Sequence, residues 1–505
     1  MNYLVPLLVA TPLVGALACL FVKYRFIHLC GLGFLLSLGL MAALVWPDTL
    51  VSGARQYELG LWIIPLQIPL VNDGLGVLFT SLNVLISLLA GAYAVYYFQP
   101  CKPRQIRRFW TLWLLVTAAN NGIYLGENLF SIYLFIEMLG LSAVGLISLS
   151  LTPQAIQSAL RYLIAGLIGS LSFLVGLAVL HWHYQTLSLI HLQPIVQSDP
   201  QTIAAVGLMS TGLLLKTALF PLHFWLPEAH SQAPAPVSAF LSAVAIKTTF
   251  FLLLKLWSET FSSILNPNPG LIIGGLASLA IVWGSLQAIQ QDRLKLVIAY
   301  STIAQVGYLF LVFPLFTQSF PISQDLAIQA DAWRACVYLA LSHAVAKSSM
   351  FMAAGAITYF FKTDQIERLS GISKLFPLTM FSFALAGASL MGVPPSGGFV
   401  GKWYLLSAFI QSGQWLWIIP AVLGGLLSGI YVFRILNTFF LKGSAKRELG
   451  LNKKPPGFHV LEIPAFALAV LSMILGFRAA EIFQLLEVGL PVPLQLESSP
   501  LGGSE

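Results

Sequence analysis

The chain has 505 residues, of which 57% are hydrophobic and only 9% carry a charged side chain. A mean hydropathy of +0.83 lies far outside the range of soluble domains, so the composition excludes a soluble enzyme and predicts an all-α polytopic membrane protein. The net charge of +7 does not indicate nucleic-acid binding, because the basic residues lie in short connections between apolar segments.

Apolar runs of about 20 residues predict fourteen membrane-spanning helices, the first of them retained rather than cleaved. Three regions follow: residues 1–108 with three spans and one external loop, a core at 109–441, and residues 442–505 with a cytoplasmic loop, the last span and a short external tail. The predicted segments are 3–22, 26–46, 72–97, 109–126, 129–150, 160–181, 203–220, 235–257, 270–290, 296–316, 333–361, 374–411 (broken), 415–441 and 458–477.

Lysine and arginine are distributed unevenly over the connections between these spans. When the first two residues of a span are counted with the connection before it, 17 of the 26 basic residues fall in odd-numbered connections and six lie within spans. Only Arg55, Arg334 and Arg478 fall in even-numbered connections or the tail after the last span. Because cytoplasmic loops are enriched in Lys and Arg, both termini are predicted to lie on the non-cytoplasmic side. The external loop at 47–76 contains an alternating stretch, ELGLWIIPLQIPL, that predicts a short hairpin.

The fifth predicted span carries a carboxylate, Glu137, at least seven residues from either end. A charge at this depth needs a partner. A static ion pair would satisfy it, but the several lysines within other spans are candidate mobile partners and favour a functional role for Glu137.

Lys216 and Lys247 lie in the seventh and eighth predicted spans. A lysine there costs about 2.5 to 3.5 kcal/mol on insertion scales and should face the bundle interior or a hydrated cavity. Pro221 follows Lys216 and interrupts the helix, and broken helices beside charges are typical of ion paths. We therefore treat Pro221, His223 and His230, all in the connector, as candidate gating residues.

Polar side chains also mark the tenth span, where helical spacing places Ser301, Thr302, Gln305 and Tyr308 in the bilayer. Hydrogen bonds between helices and the lining of a water wire both remain open for these four residues.

The eleventh span contains His343 and Lys347 at positions i and i+4. This spacing puts both side chains on one helix face, where one proton could pass between them.

The twelfth span is broken at Pro394 and Pro395, and Lys402 follows within two turns. The seventh and twelfth spans are thus both interrupted by proline beside a lysine, five helices apart. This pattern predicts two five-helix repeats, helices 4–8 and 9–13, which are inverted because each contains an odd number of spans.

The four cysteines show no Cys-x-x-Cys spacing, and the chain has no glycine-rich nucleotide fingerprint. The sequence therefore predicts neither a cofactor nor a metal of its own. A quinone-reducing enzyme would need partners to supply its redox groups. A solute carrier is disfavoured because single lysines are spread over five helices rather than gathered at one pocket.

Several motifs together resemble one family. They are SALRYLIAGLIGS, KTALFPLHFWLPEAHSQAPAPVSA, DRLKLVIAYSTIAQVGY and GVPPSGGFVGKW, with Glu137 before them and the His343/Lys347 helix between the last two. Over roughly residues 122–440 the chain resembles the antiporter-like proton-translocating subunits shared by complex I, photosynthetic NAD(P)H dehydrogenases, membrane hydrogenases and Mrp-type Na⁺/H⁺ antiporters.

The resemblance implies an integral subunit of a larger assembly in an energy-transducing membrane, either a bacterial inner membrane or a thylakoid. The partners would be other membrane subunits of an Mrp-type or complex I-like assembly, with H⁺ as the carried ion and Na⁺ as a candidate counter-ion. The family's mid-membrane charged axis would consist here of Glu137, Lys216, Lys247 and Lys402, with His343 and Lys347 near its centre.

Two departures bear on the type of subunit. Thr248 and Thr249 stand where relatives usually have glycine, and the short tail after the last span argues against the largest subunit type. Lys402, in place of a glutamate, resembles the Mrp D-type subunit more than the subunit 4 type of complex I. The alternative is a subunit 4-like proton-pumping subunit of an NAD(P)H-quinone oxidoreductase, coupled to electron transfer in its partners.

Overall fold

The computed structural model describes residues 3–59, 68–317, 325–441 and 454–489. These residues form a bundle of helices with one small pair of strands, and each predicted span coincides with all or part of a helix. The longer helices are α1 (Leu4–Phe21), α2 (Ile27–Ser52), α3 (Gly74–Tyr97), α4 (Pro103–Leu125), α5 (Leu129–Ile147), α6 (Pro153–Tyr184), α7 (Pro200–Thr217), α8 (Ala235–Thr260), α9 (Pro267–Gln290), α10 (Leu294–Phe310), α11 (Asp325–Phe361), α12 (Pro377–Met391), α13 (Gly397–Gln411), α14 (Ile418–Phe440), α15 (His459–Ile474) and α16 (Ala479–Leu486).

Within the described residues, ten helices are long and apolar enough to cross a membrane, or eleven if α15 and α16, bent by 81°, count as one span. Helices α12 and α13 have 15 residues each, because the proline-rich break divides the predicted twelfth span. The chain is therefore a polytopic helical membrane protein with ten to eleven candidate spans.

Several helix ends differ from the predicted ones. Helix α6 is longer than predicted at both ends and begins at Pro153, where the Thr152 hydroxyl accepts a hydrogen bond from the backbone N–H of Ala155. Helix α7 ends at Thr217 rather than at residue 220, because Ala218 adopts a left-handed conformation with φ of 58°. The predicted tail contains α16, whose C-terminal turn packs against the start of α3 through a 2.7 Å bond from Gly74 N–H to the Val488 carbonyl.

The connection between α2 and α3 contains the predicted antiparallel pairing. Strand β1 (Gln56–Leu59) pairs with β2 (Ile68–Val71), with Gln56 opposite Val71. Residues 60–67, which would form the turn of the predicted hairpin, lie outside the described residues.

Helix α8 lies at the centre of the bundle. The most apolar stretch of α8 is fully buried, whereas only 28% of the corresponding stretch of α2 is buried, so α2 lies at the periphery. Two π-helical stretches, Leu241–Ala245 and Leu256–Thr260, interrupt the α-helical hydrogen bonding of α8. Such stretches are frequent at functional sites.

Buried amides and hydroxyls hold α8 against α3 and α4. The Thr248 hydroxyl donates to Asn120 Oδ1 at 2.7 Å and lies 2.6 Å from the Tyr124 hydroxyl. Asn83 on α3 donates to Asn121 Oδ1 at 2.7 Å. Because unpaired polar groups are costly in a membrane interior, these bonds fix the rotation of α8 and with it the direction of Lys247.

Candidate functional site

Lys216 occupies the last turn of α7, where glycines of two neighbouring helices leave room for its side chain. A methyl group added at Gly140 or Gly166 would lie 4.0 Å from the lysine Nζ, and one at Gly169 would lie 3.1 Å from its Cγ. The helix ends one residue later, and the Trp225 indole N–H donates to the Leu215 carbonyl at 3.0 Å. The break therefore leaves Lys216 at the end of a helix with space around its ammonium group.

That space belongs to a partly open cavity of about 460 Å³ between α5, α6, α7, α8 and the short helix Leu226–Gln232. His230 from the short helix also lines it, with Nδ1 3.1 Å from the Leu226 carbonyl and a buried Nε2 that has no protein partner. The polar part of the lining consists of Lys216, His230, Tyr162, Trp225 and Thr249.

Glu137 lies on α5 next to this cavity, since Ile136 and Gly140 line it. Its Oε1 is buried without a hydrogen-bond partner, and in the described parts of the chain no lysine, arginine or histidine nitrogen lies within 4.0 Å of its carboxylate. The structure thus holds Glu137 and Lys216 apart, rather than as a closed ion pair.

Lys247 on α8 is completely buried, and its Nζ donates to the Ser242 carbonyl in the first π-helical stretch. The two threonines that follow it are both bonded: Thr248 to α4, as described above, and Thr249 to Thr217 at 2.9 Å. Thr248 and Thr249 therefore bond α8 to α4 and α7 directly after Lys247.

Lys347 on α11 is also completely buried. Its Nζ donates to the Ile298 carbonyl at 2.9 Å and to the Ser301 hydroxyl, both on α10. His343, one turn away, has both ring nitrogens buried without a hydrogen-bond partner. The two residues share a helix face as predicted, but no hydrogen bond joins them.

Lys402 on α13 reaches back across the second break. Its Nζ donates to the carbonyls of Leu390 at 2.8 Å and Met391 at 3.2 Å, and it lies 4.2 Å from the centre of the Tyr308 ring. Leu390 and Met391 end α12, so the ammonium binds the negative end of that helix dipole. Gln305 donates to the same Leu390 carbonyl at 3.3 Å.

Each of the four polar residues of α10 therefore contacts another helix through a polar side-chain contact or contacts a lysine. Ser301 accepts from Lys347, Thr302 lies 3.0 Å from the Ser242 hydroxyl, and Tyr308 donates to the Ala421 carbonyl at 2.5 Å beneath Lys402. These contacts join α10 to α8, α11, α13 and α14.

The candidate gating residues occupy different surroundings. His223 stacks on Phe220, with ring centres 5.3 Å apart, and packs against Trp283, but it does not line the Lys216 cavity. Pro221, Pro394 and Pro395 lie in the two breaks and are exposed at the bundle surface. The structure thus brings His230, but not His223, to Lys216.

Sequence reasoning missed Lys295, which was assigned to a cytoplasmic turn. Its side chain is 93% buried, and its Nζ donates to the carbonyls of Ala233 at 2.7 Å and Ser231 at 3.4 Å. Lys295 therefore attaches the start of α10 to the connector of the first break. Nothing in the local sequence distinguishes it from the exposed basic residues of other loops.

Lys247, Lys347 and Lys402 share one property: within the described residues, each ammonium is bonded only to neutral oxygens or an aromatic ring. Such an ammonium can lose or gain a proton without breaking an ion pair. Among the described residues, no group of three or more His, Cys, Asp or Glu side chains could hold a metal ion.

The helical membrane fold with lysines buried along its centre defines a class of ion-handling membrane subunits, and comparison with known sequences gives the family. The family described as NADH:quinone oxidoreductase/Mrp antiporter, TM, matches residues 126–428, and the chain belongs to it. The chain is 34% identical to the N subunit of NADH-quinone oxidoreductase of Desulforudis audaxviator over 88% of each chain. It is 29% identical to the D-type subunit of the Na(+)/H(+) antiporter of Alkalihalophilus pseudofirmus over 96% of each chain.

Solved structures share the fold. A chain of the Mrp complex from Dietzia sp. DQ12-45-1b superposes with a TM-score of 0.84 at 23% identity, covering 98% of each chain. A chain of respiratory complex I from Thermus thermophilus gives a TM-score of 0.74 at 22% identity, covering 94% of this chain and 97% of that one.

Proposed function

We propose that the chain is the proton-translocating subunit of a larger membrane assembly, of the D type found in Mrp Na⁺/H⁺ antiporters. One observation carries this proposal: Lys247, Lys347 and Lys402 are held in the bundle interior, and among the described residues their partners are neutral oxygens and an aromatic ring. A solute pocket or a structural ion pair does not account for that arrangement. The proton would move along Glu137, Lys216, Lys247, His343, Lys347 and Lys402.

Glu137 acts in this proposal as the switch. When it approaches Lys216, the pair forms and the lysine keeps its proton. When the two separate, as in the structure, the proton can pass from Lys216 along water and the inner lysines towards Lys402, because a buried lysine without a counter-ion can release it. The cavity supports this step by giving the Lys216 side chain space beside α5, the helix that carries Glu137.

The finer architecture belongs to the same proposal. We infer fourteen spans, with helices 4–8 and 9–13 as inverted repeats, a translocating core at 109–441, and both termini on the non-cytoplasmic side. Its support is that two proline-containing breaks each lie beside a lysine, Lys216 at the end of α7 and Lys402 at the start of α13. The excess of Lys and Arg in odd-numbered connections supports the sidedness.

The second candidate is a proton-pumping subunit of an NADH-quinone oxidoreductase, and the 34% identity with an N subunit of that enzyme favours it. Both candidates share the proton path and differ in the driving force. Co-purification of the chain from its native membrane, followed by peptide identification, separates them. Iron–sulfur and quinone-site subunits indicate the oxidoreductase, whereas small Mrp-type membrane subunits indicate the antiporter.

Proton movement itself is tested in vesicles containing the assembled complex. We expect an added Na⁺ gradient to produce a pH gradient in the antiporter, and an electron donor with quinone to produce it in the oxidoreductase. A complex that produces a pH gradient under neither condition would contradict the proposed function.

A further inference from the structure

A second cavity of about 400 Å³ lies at the end of α8. The Lys295 contact holds the connector that precedes α8, so it lies at the opposite end of this helix. The 26 residues of α8 span about 39 Å at 1.5 Å per residue. None of the residues in the candidate proton path lines the cavity. Its polar lining consists of Asp73, Glu127, Gln193, Lys255, Glu259 and Thr260.

Two of the three carboxylates in this cavity are satisfied. Asp73, which caps α3, forms a 2.5 Å ion pair with Lys255 and accepts a 2.6 Å bond from the Gly76 N–H. Glu127 accepts bonds from the Ser188 hydroxyl and, at 3.1 Å, from the Ile190 N–H. The carboxylates of Asp73 and Glu127 therefore already have an ion-pair or hydrogen-bond partner.

Among the described residues, the side chains of Glu259 and Thr260 lack such partners. In the described residues, the Glu259 carboxylate accepts no hydrogen bond and forms no ion pair, although Lys255 lies one turn before it on α8. Thr260 is 97% buried, and its hydroxyl has no protein partner in that same part of the chain. A buried hydroxyl facing a cavity is satisfied by water or by a bound group, so this wall of the cavity has a place for either.

The charges also favour binding of a positive ion. Three carboxylates and one ammonium line the cavity, and Lys255 is already engaged by Asp73. A partly buried carboxylate without a donor or counter-ion is costly, and a proton removes that cost. A proton needs only one acceptor oxygen, which the Glu259 carboxylate supplies.

The cavity lies near Lys247 along the chain, and one polar contact lies between them. Lys255 follows Lys247 by eight residues, about 12 Å along the helix. Thr248, adjacent to Lys247, lies 2.6 Å from the Tyr124 hydroxyl, and Tyr124 precedes Glu127 by three residues on the segment that reaches the cavity.

We propose that this cavity is a proton-exchange site between the Lys247 region and the aqueous phase at the Thr260 end of α8, with Glu259 as the group that binds and releases the proton. The inference rests on the proposed proton translocation and adds its point of exchange. An arriving proton forms an O–H bond on the Glu259 carboxylate, and that bond breaks when water accepts the proton. The charged groups facing Glu259 are Asp73 from α3, Glu127 from the α4–α5 link and Lys255 from α8.

The test compares Glu259→Gln with Glu481→Gln in vesicles containing the assembled complex. Glu481 is a matched control because it is half exposed, pairs with Arg478 at 2.7 Å and does not line the cavity. We expect Glu259→Gln to lower the rate of pH-gradient formation by about tenfold or more at equal protein abundance, since Gln cannot bind the proton. The control should equal the wild type. A Glu259→Gln rate equal to that of the control would overturn the proposal.

A second measurement keeps the proposal falsifiable if Glu259→Gln fails to assemble. A hydrophobic carbodiimide reacts with protonated carboxyls, and its site of attachment in the wild-type complex can be found by peptide mass spectrometry. We expect labelling of Glu259 that declines as pH rises, without labelling of Asp73. No labelling of Glu259, or labelling prevented by Na⁺ rather than by raised pH, would show that the cavity does not serve as a proton site.

The proposed function and this inference fail in different ways. If Glu137→Gln and Lys402→Ala leave the flux unchanged, the proposed axis is wrong. If those variants block the flux while Glu259→Gln does not, the axis stands and only the exchange site is wrong.

Discussion

Lys402 Nζ donates a 2.8 Å hydrogen bond to the Leu390 carbonyl, so the two halves of a broken helix are joined by a side chain from one and a backbone group from the other. The last carbonyls of a helix have no partner within it and together carry about half a negative charge. The end of α12 therefore holds a cation within the bundle without a carboxylate.

The first prediction concerns this lysine. We expect Lys402→Ala to abolish ion transport and Lys402→Arg to retain little, because arginine keeps the charge but does not readily release a proton. Transport is measured as pH-gradient formation in vesicles at matched abundance. Lys362→Ala is the control, since Lys362 is exposed and its ammonium lies 4.5 Å from the Tyr359 ring. Normal transport by Lys402→Ala would remove this residue from the path.

The second prediction is the sidedness of the chain. On a background without the four native cysteines, a cysteine added at the C-terminus should react with an impermeant reagent from the outside, because basic residues concentrate in the odd-numbered connections. A cysteine at Asp292 should react only from the cytoplasm. Labelling of the C-terminus only from the cytoplasm would contradict the assigned topology, and an external Asp292 would contradict the helix count between the two positions.

The third prediction concerns Lys295. Replacing it with methionine removes a charged donor from the buried carbonyls of Ala233 and Ser231, which should lower the free energy of unfolding by about 1 to 3 kcal/mol. Denaturant unfolding of the solubilised protein measures the loss, and faster proteolysis at the connector should accompany it. The matched variant Lys362→Met should unfold like the wild type. Equal stability of the two variants would show that the Lys295 contact does not hold the connector.

The fourth prediction uses the cap of α7. Hydrogen bonds from Thr202, led by its backbone N–H, together with His183 lower the pKa of Asp199 from its ordinary 3.8 to about 2, against the opposing effect of burial. Because the folded-state pKa is the lower one, the cap contributes its full stability above pH 3.8 and loses it as the pH falls towards 2.

Hydrogen exchange of the first turn of α7 measures this effect. Protection of the Gln201 and Thr202 amides should decline between pH 4 and pH 2 in the wild type after correction for intrinsic exchange. In Asp199→Asn, which keeps a capping oxygen but does not titrate, the decline should be absent. An identical decline in both proteins would show that the Asp199 carboxylate is not its cause.

The sequence predicts the positions of the helices well because a span of apolar residues is a strong local signal, and prolines 394 and 395 mark the second break directly. The partner of a buried side chain depends on packing between distant segments, so the local sequence predicts it less well. Several lysines within spans are candidate partners of Glu137, yet among the described residues none of them lies within 4.0 Å of its carboxylate. Lys295 resembles any loop lysine in sequence, because its partner, the Ala233 carbonyl, lies 62 residues earlier. Lys255 was visible as a lysine within a span, but its partner Asp73 lies 182 residues earlier.

The most direct test of the proposed proton axis is pH-gradient formation in vesicles carrying Glu137→Gln, alone and combined with Lys216→Met. Gln keeps the size of the side chain but cannot hold a lysine charged, so we predict that both variants assemble normally and lose proton transport. If the pair is purely structural, Glu137→Gln should instead lower abundance, since removing one partner of a buried pair costs about 3 to 5 kcal/mol, and the double variant should recover. Full transport by the double variant at matched abundance would contradict the role of Glu137 and Lys216 in carrying the proton.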